Sequence, residues 1–272
     1  MSTLLVADVG NTRIKLGRFE TPREANGALL PNPVATCSCS FPSFSEADLA
    51  PCEPLEAPRV VLASVNAPAA ERLIAFLQEL AAARSEVWPI EVLTNDRLAM
   101  RIDVDEPSRV GIDRLCAALA ADRLRHPEKA AIMVDIGTAL KVDLVTADGV
   151  FQGGAIAPGI AMSARALHDQ THLLPLLDVS ELAEAPDAVG KNTRAAMQAG
   201  LFWGAVGAIR ELIARQRDRL AIPPQVFLTG GAAPSVAPLL GGPDYNVRYV
   251  SHLVLSGIAI AAQKIFPSDD EN

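Results

Sequence analysis

The chain has 272 residues, enough for two domains or one large one, and its 50% hydrophobic content allows a sizeable core and excludes extensive disorder. A net charge of −8 argues against nucleic acid or an anionic membrane as a main partner, but not against a small phosphate ligand, which needs only a local patch. No apolar run reaches the roughly 18 residues of a membrane span, no signal peptide is visible, and the four cysteines lack paired metal-ligand spacing, so a cytoplasmic protein with free thiols is expected.

The apolar run from Leu4 to Ala7 ends at Asp8. Val9, Gly10, Asn11 and Thr12 follow, and then Arg13, Ile14, Lys15 and Leu16, which predicts strand, tight turn and strand. Gly10 has no Cβ to keep a ligand away from the backbone. Asn11 and Thr12 place side-chain donors beside turn amides, and such amides form an anion-binding concavity. Asp8 alone would repel a phosphate there, and a Mg²⁺ between carboxylate and phosphate removes the conflict.

Residues 20–58 are rich in Pro, Ala and Ser, with a third strand expected near Val34–Cys39. Val60–Val65 reads as a buried strand, Ala67–Arg84 as a helix carrying Leu73, Leu77 and Leu80, and Trp88–Leu93 as a short strand. A polar connection over 95–110 leads to helical spacing from Gly111 to Arg125, with Ile112, Leu115, Cys116 and Leu119 on one face. Asp113 and Arg114 lie in its first turn. An acidic residue there is favoured in any helix by the dipole. The functional alternative is a general base, kept ionised by the dipole and Arg114. Phosphoryl transfer asks for positioning more than for a strong base, and an arginine fork suits substrate or phosphate oxygens.

The device at Asp8 returns at Ala131–Ala139: a strand ends at Asp135, turns through Gly137 and Thr138, and continues from Leu140 to Val145. One copy reads equally well as an ordinary hairpin. Two copies suggest duplicated domains facing one nucleotide. Asp148-Gly149 predicts a further hairpin turn, and Gly153-Gly154 and Pro158-Gly159 bracket a short strand that leads into a helix near Ile160–Leu167. After a loop-rich stretch over 176–192, Asn192 or Thr193 caps a helix running to Gln216. Val226–Thr229 is a strand ending in Gly230-Gly231, and Leu253–Phe266 is a final apolar helix.

The paired strand-end hairpins resemble the actin, hexokinase and acetate kinase superfamily. Within it, Asp8-x-Gly-Asn-Thr-x-x-Lys15, Gly111-x-Asp113-Arg114, Asp135-x-Gly-Thr138-Ala139, Gly153-Gly154-x-Ile156-x-Pro158-Gly159 and Asn192-Thr193 resemble, in order and spacing, the motifs of type III pantothenate kinases. The resemblance implies two ribonuclease-H-like α/β domains, over residues 1–124 and 125–272, with mixed sheets flanked by helices and ATP in the cleft between them. It implies phosphorylation of pantothenate at its terminal hydroxyl, the first step towards coenzyme A, by a homodimer. The rival is a catalytically degenerate relative that binds nucleotide and acts as a regulator.

By position, the resemblance assigns Asp8, Val9, Gly10, Asn11, Thr12, Arg13, Ile14, Lys15 and Thr138 to the ATP phosphates. It assigns Gly111, Ile112, Asp113 and Arg114 to the pantothenate pocket, with Asp113 as proton acceptor, and Thr193 to substrate. Asp135 would ligate a monovalent cation, K⁺ or NH₄⁺, and Gly230-Gly231 resembles the superfamily's adenosine-side turn. Two positions depart from the family pattern: Val104 stands where members commonly have Tyr, and Leu140-Lys141 where many have Thr-Thr. Lys141 has two readings, an ammonium that replaces the cation or a side chain directed to solvent. The working expectation is the second, with K⁺ at Asp135.

Overall fold

The computed structural model describes residues 3–20, 30–40, 43–241 and 246–266. Residues 21–29 and 41–42 of the weakly patterned stretch lie outside that set. The chain forms two compact units, one made of residues up to Leu124 together with those from His252 onward, the other of Arg125–Ser251.

The first unit contains β1 (Thr3–Val9), β2 (Arg13–Glu20), β3 (Ala35–Ser40), the single-turn α1 (Glu46–Leu49), β4 (Arg59–Ser64), α2 (Ala67–Ala83), β5 (Ile90–Val92), the two-residue β6 (Arg101–Ile102) and α3 (Ile112–Leu124). Its main sheet has the order β3-β2-β1-β4-β5. β1, β2 and β3 are antiparallel neighbours, while β4 and β5 run parallel to β1. Alternation along the strands divides the residues between two faces. Leu5, Ala7 and Val9 pack with Ile14, Leu16, Val60 and Leu62 against Leu73, Leu77 and Leu80 of α2. Leu4, Val6 and Asp8 therefore point to the other face. All four cysteines are free thiols, and the sulfurs of Cys37 and Cys52 come to 3.2 Å.

The second unit holds β7 (Ala131–Ile136), β8 (Ala139–Val145), β9 (Val150–Pro158), α4 (Ile160–Asp169), α5 (Thr193–Arg217), β10 (Gln225–Thr229), α6 (Ala233–Val236) and β11 (Val247–Tyr249). Within it the order β9-β8-β7-β10-β11 repeats that of the first unit, with the same pattern of antiparallel and parallel neighbours. The duplication inferred from two hairpins thus extends over five strands of each unit. Ile132, Val134, Ile136, Leu140, Val142 and Leu144 form the apolar face, packed against Phe202, Val206, Ile209 and Ile213 of α5.

Two expectations change. Gly153-Gly154 does not open a short strand: β9 is continuous, with a register irregularity opposite Asp143 and Val145. Gly153 adopts φ 76°, and a Cβ on Gly154 would collide with the Val142 carbonyl and with Asp143. The glycines therefore serve a bulge and a close strand approach.

The second correction concerns the last helix, α7 (Leu253–Ile265), which the sequence division assigned to the second domain. It packs on α3, β1 and β4 of the first unit. Nine of its residues, from Leu253 to Ala262, are buried, which is why it is apolar around its whole circumference. At Gly257 the backbones of α7 and α3 touch, since a Cβ there would collide with the Cys116 carbonyl.

Substituting Gly257→Ala tests this packing through its sign. In an open helix the change gains about 1 kcal/mol of propensity. Here the methyl meets backbone, and overpacking by that much costs roughly 1–3 kcal/mol. A lower urea midpoint for the variant is the expected result, and a higher one would show that α7 does not sit against α3.

Candidate active site

In the first unit the site begins at the end of β1. Asp8 and Lys15 are cross-strand partners in the β1–β2 register. The turn between them closes with the Gly10 amide donating to the Arg13 carbonyl at 3.0 Å. That closure leaves little room above Gly10, where a Cβ would stand 3.1 Å from the same carbonyl. Asn11, Thr12 and Arg13 are exposed, Ile14 is buried, and Val9 is anchored by its carbonyl, which accepts from the Val65 amide at 3.1 Å. Val9 and Ile14 are thus scaffold, while Asn11, Thr12 and Arg13 form the exposed tip of the hairpin and Lys15 is half-buried.

Gly111 and α3 bring the second carboxylate to the same unit. The Asp113 Oδ1 accepts from the Arg114 amide at 2.9 Å. It also folds back over Gly111, where a Cβ would lie 2.7 Å away, with Val65 Cγ1 at 3.6 Å. Only glycine leaves space for that carboxylate position. Ile112 is buried and anchors the helix start. Both Asp8 and Asp113 act on one buried group: burial first, and then the charges of these two carboxylates, push the Cys116 thiol well above its usual range. His252, which precedes α7, is held below its ordinary value by burial and by the Lys15 ammonium.

Three glycine turns converge at the end of β7 in the second unit. The Gly137 amide donates to the Ala139 carbonyl at 3.1 Å, closing the first. The Gly159 amide donates to the Thr138 carbonyl at 3.1 Å, and a Cβ on Gly159 would collide with the backbone of Gly137 and Thr138. Gly230 crosses Ile136 with φ +100°, and its Cβ would stand 2.5 Å from the Ile136 carbonyl. The Ala232 amide reaches that carbonyl at 3.3 Å. Thr138 is exposed at the centre of this arrangement.

Asp135 lies opposite Lys141 in the β7–β8 register. The expectation of a solvent-directed Lys141 is overturned here: its Nζ donates to Asp135 Oδ2 at 2.8 Å, with the two side chains only 16% and 18% exposed. The turn is so short that cross-strand register alone delivers the lysine to the carboxylate. Sequence reasoning also passed over Asp143, a carboxylate only 3% exposed. It stands two residues beyond Lys141 and so on the same face. The available signal was the alternation of charged residues 141 and 143 along the return strand, the first opposite Asp135 and the second opposite Met133. Among the described residues no group of three or more His, Cys, Asp or Glu is arranged to hold a metal ion.

Asn192 is the cap of α5, its Oδ1 accepting from the Ala195 amide at 2.9 Å, and Thr193 is the exposed first helical residue. Trp203 packs edge-on against Phe202 and donates to the Pro186 carbonyl at 3.0 Å. His168 and His172 are exposed, and α4 ends before His172, so the two do not share a helix face.

Comparison with known proteins follows the same lines. The sequence model of the family described as type III pantothenate kinase matches residues 4–215. The type III pantothenate kinase of Anaeromyxobacter dehalogenans (strain 2CP-C) is 35% identical over 272 residues, which cover 96% of this chain and 99% of that protein. The type III pantothenate kinase of Dehalococcoides mccartyi (strain ATCC BAA-2266 / KCTC 15142 / 195) is 34% identical over 240 residues, 87% of this chain and 90% of its own. Among solved structures, the activator of the 2-hydroxyisocaproyl-CoA dehydratase from Clostridium difficile with bound ADPNP aligns with a TM-score of 0.54 at 11% identity, covering 99% of this chain and 98% of that one. Component A of the (R)-2-hydroxyglutaryl-CoA dehydratase of Acidaminococcus fermentans aligns at 0.50 with 15% identity, covering 96% and 100%. At these identities the structural likeness is one of fold.

The convergence of turns on β7 makes Gly230→Ala a test of the second unit's geometry. A Cβ at positive φ and against backbone should lower stability by about 2 kcal/mol or more. Thermal unfolding measures it, and an unchanged midpoint would mean that Gly230 does not cross Ile136 as described.

Proposed function

The chain belongs to the type III pantothenate kinase family, and from that membership we propose how its own residues phosphorylate pantothenate with ATP. The observation that carries the reading is the family match over residues 4–215, to which the structure adds Asp113 held by the Arg114 amide over the bare Gly111 at the start of α3. The degenerate, regulatory alternative finds no support, since Asp8, Asp113, Arg114 and Asp135 are all present.

In this reading the turn from Asp8 to Lys15 and Thr138 hold the ATP phosphates, by amides, hydroxyls and the Lys15 ammonium. An ATP analogue bound to a protein of the same fold supports nucleotide use. Asp8, half-buried beside exposed Asn11 and Thr12, fits the role of a Mg²⁺ neighbour. Mg²⁺ would supply charge neutralisation at the phosphates. Gly111, Ile112, Asp113 and Arg114 line the pantothenate side. Asp113 accepts the proton of the terminal hydroxyl as its oxygen bonds to the γ-phosphorus. The bond from that phosphorus to the β–γ bridging oxygen breaks, and ADP departs. The Arg114 amide and the bare Gly111 backbone fix the accepting oxygen, which suits a loose transition state governed by positioning. Thr193, exposed at the start of α5, contacts substrate, and Gly230-Gly231 faces the adenosine. Val189, 77% exposed beside Gly200 and Trp203 of α5, is an apolar side chain that a second copy of the chain in a homodimer would cover. No helix among the described residues is long and apolar enough to cross a membrane.

The monovalent cation does not fit. Asp135 Oδ2 already accepts from an ammonium. With that ammonium in place the Asp135–Lys141 pair is neutral, so a second cation there finds no uncompensated carboxylate charge to bind. No step is routed through such an ion.

Replacing Asp113→Asn keeps the shape and removes the proton acceptor. Turnover should fall about a hundredfold or more, with ATP affinity preserved; parental turnover would remove Asp113 from the chemistry. For Asp8→Asn the readout is the Mg²⁺ titration of the rate, which should shift to higher concentration as the metal loses a charged neighbour. An unchanged titration would place the metal elsewhere.

A further inference from the structure

We propose that Lys141 supplies, from within the chain, the positive charge that a dissociable monovalent cation would bring to Asp135, so that the kinase works without added K⁺ or NH₄⁺. The inference rests on the kinase reading for its activity measurement, but not for its binding measurement.

Three observations carry it. The turn that joins β7 to β8 consists of Gly137 and Thr138 alone, and it is closed by a backbone hydrogen bond of 3.1 Å. So short a turn fixes register, and the register sets Lys141 directly opposite Asp135. Next, the ammonium is seated: 2.8 Å from Oδ2, with both side chains more than four-fifths removed from solvent at 16% and 18% exposure. This is unlike a surface pair, whose long side chains sample water. Finally, the pair lies on the sheet face opposite the α5 core, each member three residues from the exposed Thr138. Asp143, 3% exposed, sits further along the same face.

An ammonium and a potassium ion are alike in charge and close in size, so one occupies the place of the other. Tethering decides between them. A group held by the chain has an effective concentration of the order of millimolar or more whatever the medium contains. The lysine is ordered once, during folding, whatever the salt in the medium.

The test uses the full chain and Lys141→Thr in chloride salts of K⁺, Na⁺ and tetramethylammonium at equal ionic strength. ADP release and the thermal midpoint are both followed as K⁺ is titrated. The parent should turn over within about twofold in all three salts, and its midpoint should show no saturable rise with K⁺. Lys141→Thr should lose about tenfold or more in tetramethylammonium, the scale of a removed electrostatic group. It should recover with K⁺, together with a saturable rise in its midpoint. The inference is overturned by a parent that requires K⁺, or by a variant as active as the parent in every salt. Should Lys141→Thr not fold, the parent's salt dependence decides. A parent that releases no ADP in any salt would defeat the kinase reading, and the two K⁺ titrations of the midpoint would still decide the inference.

Discussion

Cross-strand register in two tight hairpins is the constraint on which the chemistry of this chain depends. In each unit a strand ends in an aspartate, turns on a glycine, and returns with a lysine opposite the carboxylate: Asp8 with Lys15, and Asp135 with Lys141. Side chains alternate between faces, so a slip of one residue would send carboxylate and lysine together into the apolar core. The buried rows Leu5, Ala7 and Val9, and Ile132, Val134 and Ile136, prevent that slip. Burial on one face thus positions charge on the other.

The same hairpins carry different loads. In the first unit burial, and then the charges of Asp8 and Asp113, raise the Cys116 thiol above its usual range. Lys15 stands opposite Asp8 in the register. Around Asp135 the balance is already present in the ion pair with Lys141. Duplication supplied two equal scaffolds, and a single position on the return strand distinguishes their electrostatics. The glycines answer a related demand. Gly111, Gly159 and Gly230 each stand where a Cβ would strike the carboxylate or the backbone that the site uses. Their absence of a side chain is a spatial requirement at particular atoms.

Much of this was legible in the sequence because it is local. Strand-end aspartates followed by glycine turns announce themselves within ten residues, and the cap at Asn192 and the helix start at Asp113 follow from first-turn chemistry. Two hairpins were enough to suggest duplication, and the repeated strand order bears it out. What escaped reading depends on partners distant in sequence. The apolar helix α7 signals that it is buried, yet nothing in its pattern says that it packs on α3 in the first unit. Lys141 was expected in solvent because lysines usually are, and only the strand opposite shows otherwise. Gly153-Gly154 resembles a strand boundary until the bulge beside Asp143 gives the pair its purpose.

The central claim is that this arrangement transfers the γ-phosphoryl group of ATP to pantothenate. A coupled assay of ADP release by the parent chain in Mg²⁺, run with and without pantothenate, tests it most directly when the product is weighed by mass spectrometry. The account predicts ADP release that depends on pantothenate, with one phosphoryl group gained by pantothenate for each ADP formed. ADP release indifferent to pantothenate, or none while ATP still binds, would contradict it.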